Sequence, residues 1–144
     1  VHQELQQTMN DLVGIIRREE ELEQAIEALG KLRERVGSVS VEGGRGYHPG
    51  WHLALDLRNM VLVSECVARA ALERQESRGG HTRDDYPQMS AEWRKLNLVC
   101  RLSDGTVELK RQDMEPMRDD LIRLFERDEL KKYLTEDELP AEEK

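Results

Sequence analysis

The chemistry-bearing residues of this chain crowd into one stretch, Glu76-Ser77-Arg78-Gly79-Gly80-His81-Thr82-Arg83-Asp84-Asp85-Tyr86-Pro87. Arg78, His81 and Arg83 are potential cations, and Asp84 and Asp85 supply carboxylates around a Gly-Gly pair. Such groups form directional, charge-assisted hydrogen bonds. Glycine admits positive φ, so Gly79 and Gly80 read as the stop of a preceding helix. The plain alternative is a helix cap followed by a solvated loop, which needs no function at all.

Other constellations are weaker. His48 and His52 are spaced for one helix face, but a structural metal site needs about four N or S ligands and no suitable third follows; no metal site is expected. Cys66 and Cys100 both lie in apolar patterns, which raise a thiol pKa, so neither reads as a nucleophile. They read as buried free thiols of a reduced compartment. No glycine-rich turn follows a strand, so there is no dinucleotide fingerprint. The chain does not carry a complete active site, and no catalytic or cofactor-binding residue is expected in it.

Apolar periodicity supplies the elements that must position the loop. Leu5, Met9, Leu12 and Ile16 form one helical stripe over 2–16. Glu19-Glu20-Glu21 suits a second helix start, and Leu22, Ile26, Leu29, Leu32 and Val36 carry it to Gly37. A glycine-rich connector spans 37–50, with Arg45 and Tyr47 between its glycines. A third helix runs from Gly50 or Trp51 to Ser77. Leu53, Leu57, Met60, Ser64, Val67 and Ala71 make one of its seams; Leu55, Leu62, Cys66 and Ala70 make another. Arg58, Glu65, Arg69 and Glu73 form its polar stripe. A helix so widely apolar is central, with neighbours on two sides.

Residues 96–102 alternate, Ser103-Asp104-Gly105 is a hairpin turn, and Val107 and Leu109 continue the apolar face. Pro116 opens a last helix carrying Leu121, Ile122, Leu124, Phe125 and Leu130, and the acidic tail from Tyr133 frays. The reading is mainly α: a spectrin-repeat-like, up-down-up three-helix bundle with a C-terminal β-hairpin and a short terminal helix. Residues 1–95 form the bundle with the loop at 76–87, residues 96–112 the hairpin packed on it, and residues 113–144 the helix and tail, all in one domain.

A chain of 144 residues suffices for one core. Aromatic residues make up only 4%, so that core must be aliphatic. A net charge of −8 argues against nucleic acid as a partner. No apolar run approaches the ~18 residues of a membrane span. Val1 enters directly into helix pattern, as expected of a piece of a longer polypeptide.

Arg74-x-Glu76-Ser77-Arg78-Gly79-x-His81-x-Arg83-x-Asp85-x-Pro87 resembles the signature that closes the helical domain of succinate dehydrogenase and fumarate reductase flavoprotein subunits. Leu57-Arg58-Asn59-Met60, Ser64-Glu65 and Ala70-Ala71-Leu72 resemble that family's central helix, and Glu92-Trp93-Arg94-Lys95 its terminal hairpin. The likeness covers roughly residues 1–112. Leu96 stands where many relatives carry histidine, and Met89-Ser90-Ala91 where Arg-Asp-Asp is usual. The resemblance implies a C-terminal helical domain that braces FAD-binding and capping domains lying outside this chain. It implies covalent FAD in the full-length protein, succinate/fumarate interconversion, and electron transfer to an iron–sulfur subunit. It also implies a peripheral place, through membrane-anchor subunits, on the cytoplasmic face of a bacterial plasma membrane or the matrix side in mitochondria. Arg78, His81, Arg83 and Asp85 are then expected at the interdomain contact. L-aspartate oxidases share a similar Glu-Ser-Arg-Gly stretch, and a non-catalytic helical interaction module is the reading of another class.

Overall fold

Leu22, Ala25, Leu29, Leu32 and Val36 recur at steps of three and four and are all buried, so they line one face of helix α2, Glu19–Val36. The computed structural model describes residues 1–44 and 46–140. Helix α1, His2–Leu12, and helix α3, Pro49–Glu73, both pack on α2, and α1 also touches α3. Leu5, Leu57, Val61, Ala68 and Ala71 close the same core. Among the described residues the architecture is five α-helices with two small two-stranded sheets.

The first helix ends earlier than its stripe suggests. Beyond Leu12 the chain turns at Gly14, and Ile16, 63% exposed, joins Arg17 in a short strand, β1, Ile16–Arg17. That strand pairs in parallel with β2, Thr82–Arg83, in register Ile16–Thr82 and Arg17–Arg83. The long-range pairing brings the turn between α1 and α2 against the charged loop.

The third helix also departs from expectation, in three ways. It ends at Glu73, not Ser77, with Arg74 extended. Its buried line is Leu57, Val61, Glu65, Ala68 and Ala71, so only Leu57 and Ala71 of the expected first seam are buried. Leu55 and Val63 stay well exposed, at 66% and 60%, and Leu53 and Val67 are partly bare. The helix therefore packs along one side and leaves an apolar stripe uncovered. Glu65, expected on the polar stripe, faces the core at 5% exposure. It survives there because Arg33 of α2 donates to it at 3.1 Å and Arg69 at 2.8 Å. A buried carboxylate needs such partners.

Pro49 occupies the first turn of α3, where its missing N–H costs nothing. His48 caps the helix: its Nδ1 accepts from the Gly50 N–H at 3.1 Å. His52 is exposed on the next turn. Arg45 of the connector lies outside the described residues.

Strands β3, Leu96–Ser103, and β4, Thr106–Asp113, form an antiparallel hairpin. Asp104 and Gly105 both take positive φ, 47° and 78°, which suits the right-handed twist of the flanking strands. Val107 is buried, Arg111 pairs with Glu73 of α3 at 2.8 Å, and its guanidinium lies 4.6 Å above the Trp93 ring.

The single terminal helix is replaced by two short ones, α4, Asp119–Ile122, and α5, Arg127–Leu130, then a 3-10 turn at Glu136–Glu138. None of them buries a residue; Leu124 is 77% exposed. A short helix with no packed face gains too little to extend. The described part of the tail is tied back: Glu138 accepts from Arg94 and Lys95, both at 2.5 Å. Residues 141–144, part of the expected fraying tail, lie outside the described residues.

Candidate functional site

The end of α3 is closed by a side chain and not by glycine. Arg83 is fully buried, and its Nη1 donates to the carbonyls of Ala71 and Leu72, both at 2.9 Å, and of Arg74 at 3.4 Å. These are orphan acceptors of a helix C-terminus, where a cation also meets the negative end of the dipole. The other edge of the guanidinium grips Asp85 in a fork, Nε to Oδ1 at 2.7 Å and Nη2 to Oδ2 at 2.5 Å. Asp85 in turn accepts from the Glu19 N–H at 3.2 Å, at the start of α2. One ion pair thus joins the C-terminus of α3 to the N-terminus of α2, each charge at its favoured pole. The Arg83 fork holds the Asp85 carboxyl below its ordinary pKa. The same fork raises that of Arg83.

The glycines serve the loop. Arg78 and His81 exchange backbone hydrogen bonds, N–H to O at 2.8 and 3.3 Å, across a turn in which Gly79 has φ +63°. Ser77 Oγ accepts from the Arg83 N–H at 2.8 Å and donates to the Tyr86 carbonyl at 2.9 Å. Glu76, with no exposed surface, is the hub of the near side. It accepts from Arg74 at 2.6 and 2.9 Å, from Arg78 at 3.1 Å and from the Ser90 N–H at 3.0 Å. Burial pushes its pKa up, but the Ser90 N–H and the guanidinium groups of Arg78 and Arg74 outweigh it, and the net shift is downward.

His81 is 7% exposed and bridges two segments. Arg17 Nη1 donates to its Nδ1 at 2.7 Å, and its Nε2 stands 3.1 Å from the Arg74 carbonyl. Arginine has no acceptor and a carbonyl no donor, so the imidazole is neutral with its proton on Nε2. Burial lowers its pKa, and the charges of Arg74, Arg17 and Arg83 reinforce that, against the opposing hydrogen bond to the Arg74 carbonyl. Arg17 is held by the Gly14 carbonyl at 2.6 Å and by His81, with no ion pair to a carboxylate among the described residues. Its pKa is lowered by burial and then by Arg74 and Arg83. Arg17, Arg74 and Arg78 line a cleft of about 530 Å³ floored by Trp93, Leu98 and Met114. The arrangement fixes two helix ends and presents cations beside the bare stripe of α3.

The family model described as fumarate reductase flavoprotein C-term matches residues 2–129. The chain belongs to this family. It is 33% identical over 118 residues to the succinate dehydrogenase flavoprotein subunit of Coxiella burnetii, covering 81% of this chain and 20% of that protein. It is 37% identical over 96 residues to an L-aspartate oxidase of Acinetobacter baylyi, covering 67% and 17%. The solved Mycobacterium smegmatis Sdh1 in complex with UQ1 is 57% identical, with a TM-score of 0.86 over 96% of this chain and 24% of that one. The chain thus spans about a fifth of the curated relatives it matches. The match runs past the hairpin, where the sequence likeness had stopped, and into α5 of this flavoprotein C-terminal domain.

The four singled-out residues of this flavoprotein domain come together in one loop, but not alike. His81 and Arg83 are buried with their polar groups engaged inside the chain, Asp85 is held by Arg83, and the Arg78 side chain keeps 33% exposure. Sequence reading missed Arg17 and the buried role of Glu76. The signal for Arg17 was weak: an Arg-Arg pair beginning three residues after Gly14, which also reads as a helix end. The thiols differ from expectation as well: Cys66 is half-buried, Cys100 is exposed, and they adjoin. Cys100 stays exposed although its sulfur turns toward Cys66 of α3.

Proposed function

We propose that this chain is the helical domain that braces the FAD-binding and capping domains of a succinate dehydrogenase/fumarate reductase flavoprotein. The observation that carries the reading is the uncovered stripe of Leu53, Leu55, Val63 and Val67 on the longest helix, beside the cationic cleft. Bare apolar residues along one side of the longest helix suit a surface that another domain covers. In this reading residues 1–144 are one domain: an up-down-up three-helix bundle over 1–95, the hairpin at 96–112, and the segment 113–144. The loop at 76–87 sets the register of the bundle. Arg83 and Asp85 act from inside, through the helix ends; Arg78, with His81 positioning Arg17, faces the neighbouring domain and offers charge-assisted bonds to it.

In the full-length protein the flavin, covalently attached FAD, sits in a domain outside this chain, since no glycine-rich strand-to-helix turn is present here. It exchanges hydride with succinate or fumarate and passes electrons to an iron–sulfur subunit, and the UQ1 complex of the Mycobacterium smegmatis relative supports a quinone as their destination. No helix among the described residues is long and apolar enough to cross a membrane. Attachment to the cytoplasmic face is then peripheral, through anchor subunits. An L-aspartate oxidase is the second reading, favoured by the 37% identity to the Acinetobacter baylyi enzyme.

The test uses the full-length protein with Val63→Glu and, separately, Arg78→Ala. Flavin fluorescence after a denaturing gel reports retention of the cofactor, and dye-linked oxidation of succinate and of L-aspartate reports activity. Loosened domain register should lower succinate oxidation at least tenfold, since roughly 1 Å of misplacement costs about a hundredfold. Unchanged flavin and unchanged rate in both variants would sink the bracing role, and oxidation of L-aspartate alone would select the second reading.

A further inference from the structure

The two cysteines are 34 residues apart in sequence and meet across an element boundary. Cys66 lies on α3 and is half-buried; Cys100 lies on β3 and is exposed. The Cys100 Sγ donates to the Cys66 carbonyl oxygen at 3.8 Å, so the two residues adjoin. The hairpin is pinned on both sides of this meeting point. At its turn Arg33 of α2 donates to the Gly105 carbonyl, and near its far end Arg111 pairs with Glu73 of α3. The sulfur of Cys100 is therefore held over Cys66. Neither thiol takes part in the charged loop or in its cleft.

We propose that Cys66 and Cys100 are an oxidation site, closing to an intrachain disulfide that staples the hairpin to α3 when a hydroperoxide is present. Cys100 reacts first, because it is the thiol an oxidant reaches. Its thiolate attacks one oxygen of hydrogen peroxide, the O–O bond breaks, and Cys100 becomes a sulfenic acid while the departing hydroxide takes a proton to form water. The Cys66 sulfur then attacks the Cys100 sulfur, the S–O bond breaks, and its hydroxyl leaves as a second water with the Cys66 proton. Two electrons pass from the thiol pair to the peroxide, and both of its oxygens leave as water. Burial, and after it the neighbouring Cys100, push the Cys66 thiol above its ordinary pKa. It thus waits as the resolving group and does not compete as the first nucleophile. Closure brings the Cys100 sulfur, already in reach of the Cys66 backbone, to the ~2.05 Å of a disulfide with the Cys66 sulfur.

The consequence falls on the hairpin. Val107 is the one buried residue of its two strands, its ion pair to α3 is partly exposed, and a two-stranded hairpin is marginal by itself. A covalent tie at Cys100, opposite Leu109 in mid-strand, removes its freedom to lift.

The test treats the full-length protein with hydrogen peroxide, blocks remaining thiols with N-ethylmaleimide, and maps peptides by mass spectrometry. A peptide pair joined through Cys66 and Cys100, lighter by two hydrogens and restored by dithiothreitol, is expected. In Cys66→Ser, dimedone should trap Cys100 as its sulfenic acid; in Cys100→Ser, Cys66 should stay unlabelled. Oxidised protein should also resist tryptic cleavage after Lys110 and Arg111 by roughly tenfold over the reduced form, through restriction of local opening. Both cysteines alkylated after peroxide would overturn the proposal. So would a Cys100 that ignores N-ethylmaleimide in the native protein, or a disulfide joining two molecules.

Discussion

Removing the guanidinium of Arg83 should be the most damaging single change in the charged loop. Arg83→Ala deletes a buried cation that serves three carbonyls at the end of α3 and both oxygens of Asp85. Hydrogen bonds to charged groups contribute about 1.5–3 kcal/mol each, and breaking a buried ion pair from one side costs about 3–5 kcal/mol. These figures overlap, because water can enter the vacated space and Asp85 is partly exposed. A local cost of about 4 kcal/mol is the result. Arg83→Lys keeps the charge but not the fork, so it reaches the carbonyls or Asp85 and not both; about 2 kcal/mol is expected. Hydrogen exchange in the full-length protein reads this directly. Protection in peptides covering 71–85 should fall by about three powers of ten in Arg83→Ala and by about one and a half in Arg83→Lys. Peptides from β4 should change far less. Protection within a factor of about ten of the parent in Arg83→Ala would refute the assignment of Arg83 as the closure of α3.

Other changes probe the remaining buried charges. The folded-state pKa of His81 is depressed, so its contribution to stability is fully present above its unfolded value of about 6.5 and is lost as pH falls toward the lower folded value. Thermal unfolding at pH 7.5 and at pH 5.5 should separate accordingly, and His81→Gln, which can still accept from Arg17 and donate to the Arg74 carbonyl, should flatten that difference. Glu65→Gln removes the charge shared by Arg33 and Arg69 in the core and should cost about 1–3 kcal/mol, read as a lower urea midpoint with an unchanged slope. Glu138 is held at a pKa of about 2 by Lys95, the Thr135 backbone and side chain, and Arg94. Its tie therefore persists above the unfolded carboxyl value of about 4.3 and is lost as pH falls toward about 2. Glu138→Gln should speed proteolytic clipping between residues 115 and 140 at neutral pH while leaving α1 to α3 intact.

The sequence was most legible where one period governs and one face is buried. In α2 four of the five stripe residues, Leu22, Leu29, Leu32 and Val36, are buried, and Ala25 is buried beside them while Ile26 stays at the margin. The hairpin was equally plain, because Asp104-Gly105 chooses the turn and the turn fixes the register. In α3 the same method failed, since a helix apolar all round does not say which arc meets its own domain. The answer lay in Ala68 and Ala71, small enough for α2 to approach closely, and in Glu65, which periodicity assigns to solvent. The early end of α1 could not be read either. Ile16 continues the helical stripe, and only its partner strand, far along the chain, makes it β.

The burial of the charged loop was hidden in the sequence for a physical reason. A run of ionisable residues beside glycines reads as a solvated cap, because a lone charge cannot be buried. Here the charges compensate one another over distances that sequence does not reveal. Glu76 gathers Arg74, Arg78 and the Ser90 amide; Arg83 meets Asp85; Asp85 meets the first amide of α2. Each buried ion has partners, and several of those partners are helix ends whose backbone groups needed them. The loop can therefore be buried at the same moment that it closes one helix and opens another. Arg17 is the exception. It is partly buried, it faces a neutral imidazole, and the nearby charges that act on it, Arg74 and Arg83, are also cations. A cation left in that state on a chain of net charge −8 is not short of carboxylates, so its lack of one among the described residues is a matter of placement. The cleft it lines opens beside the bare stripe of α3, and that is the side from which the proposed neighbouring domain would bring the missing anion.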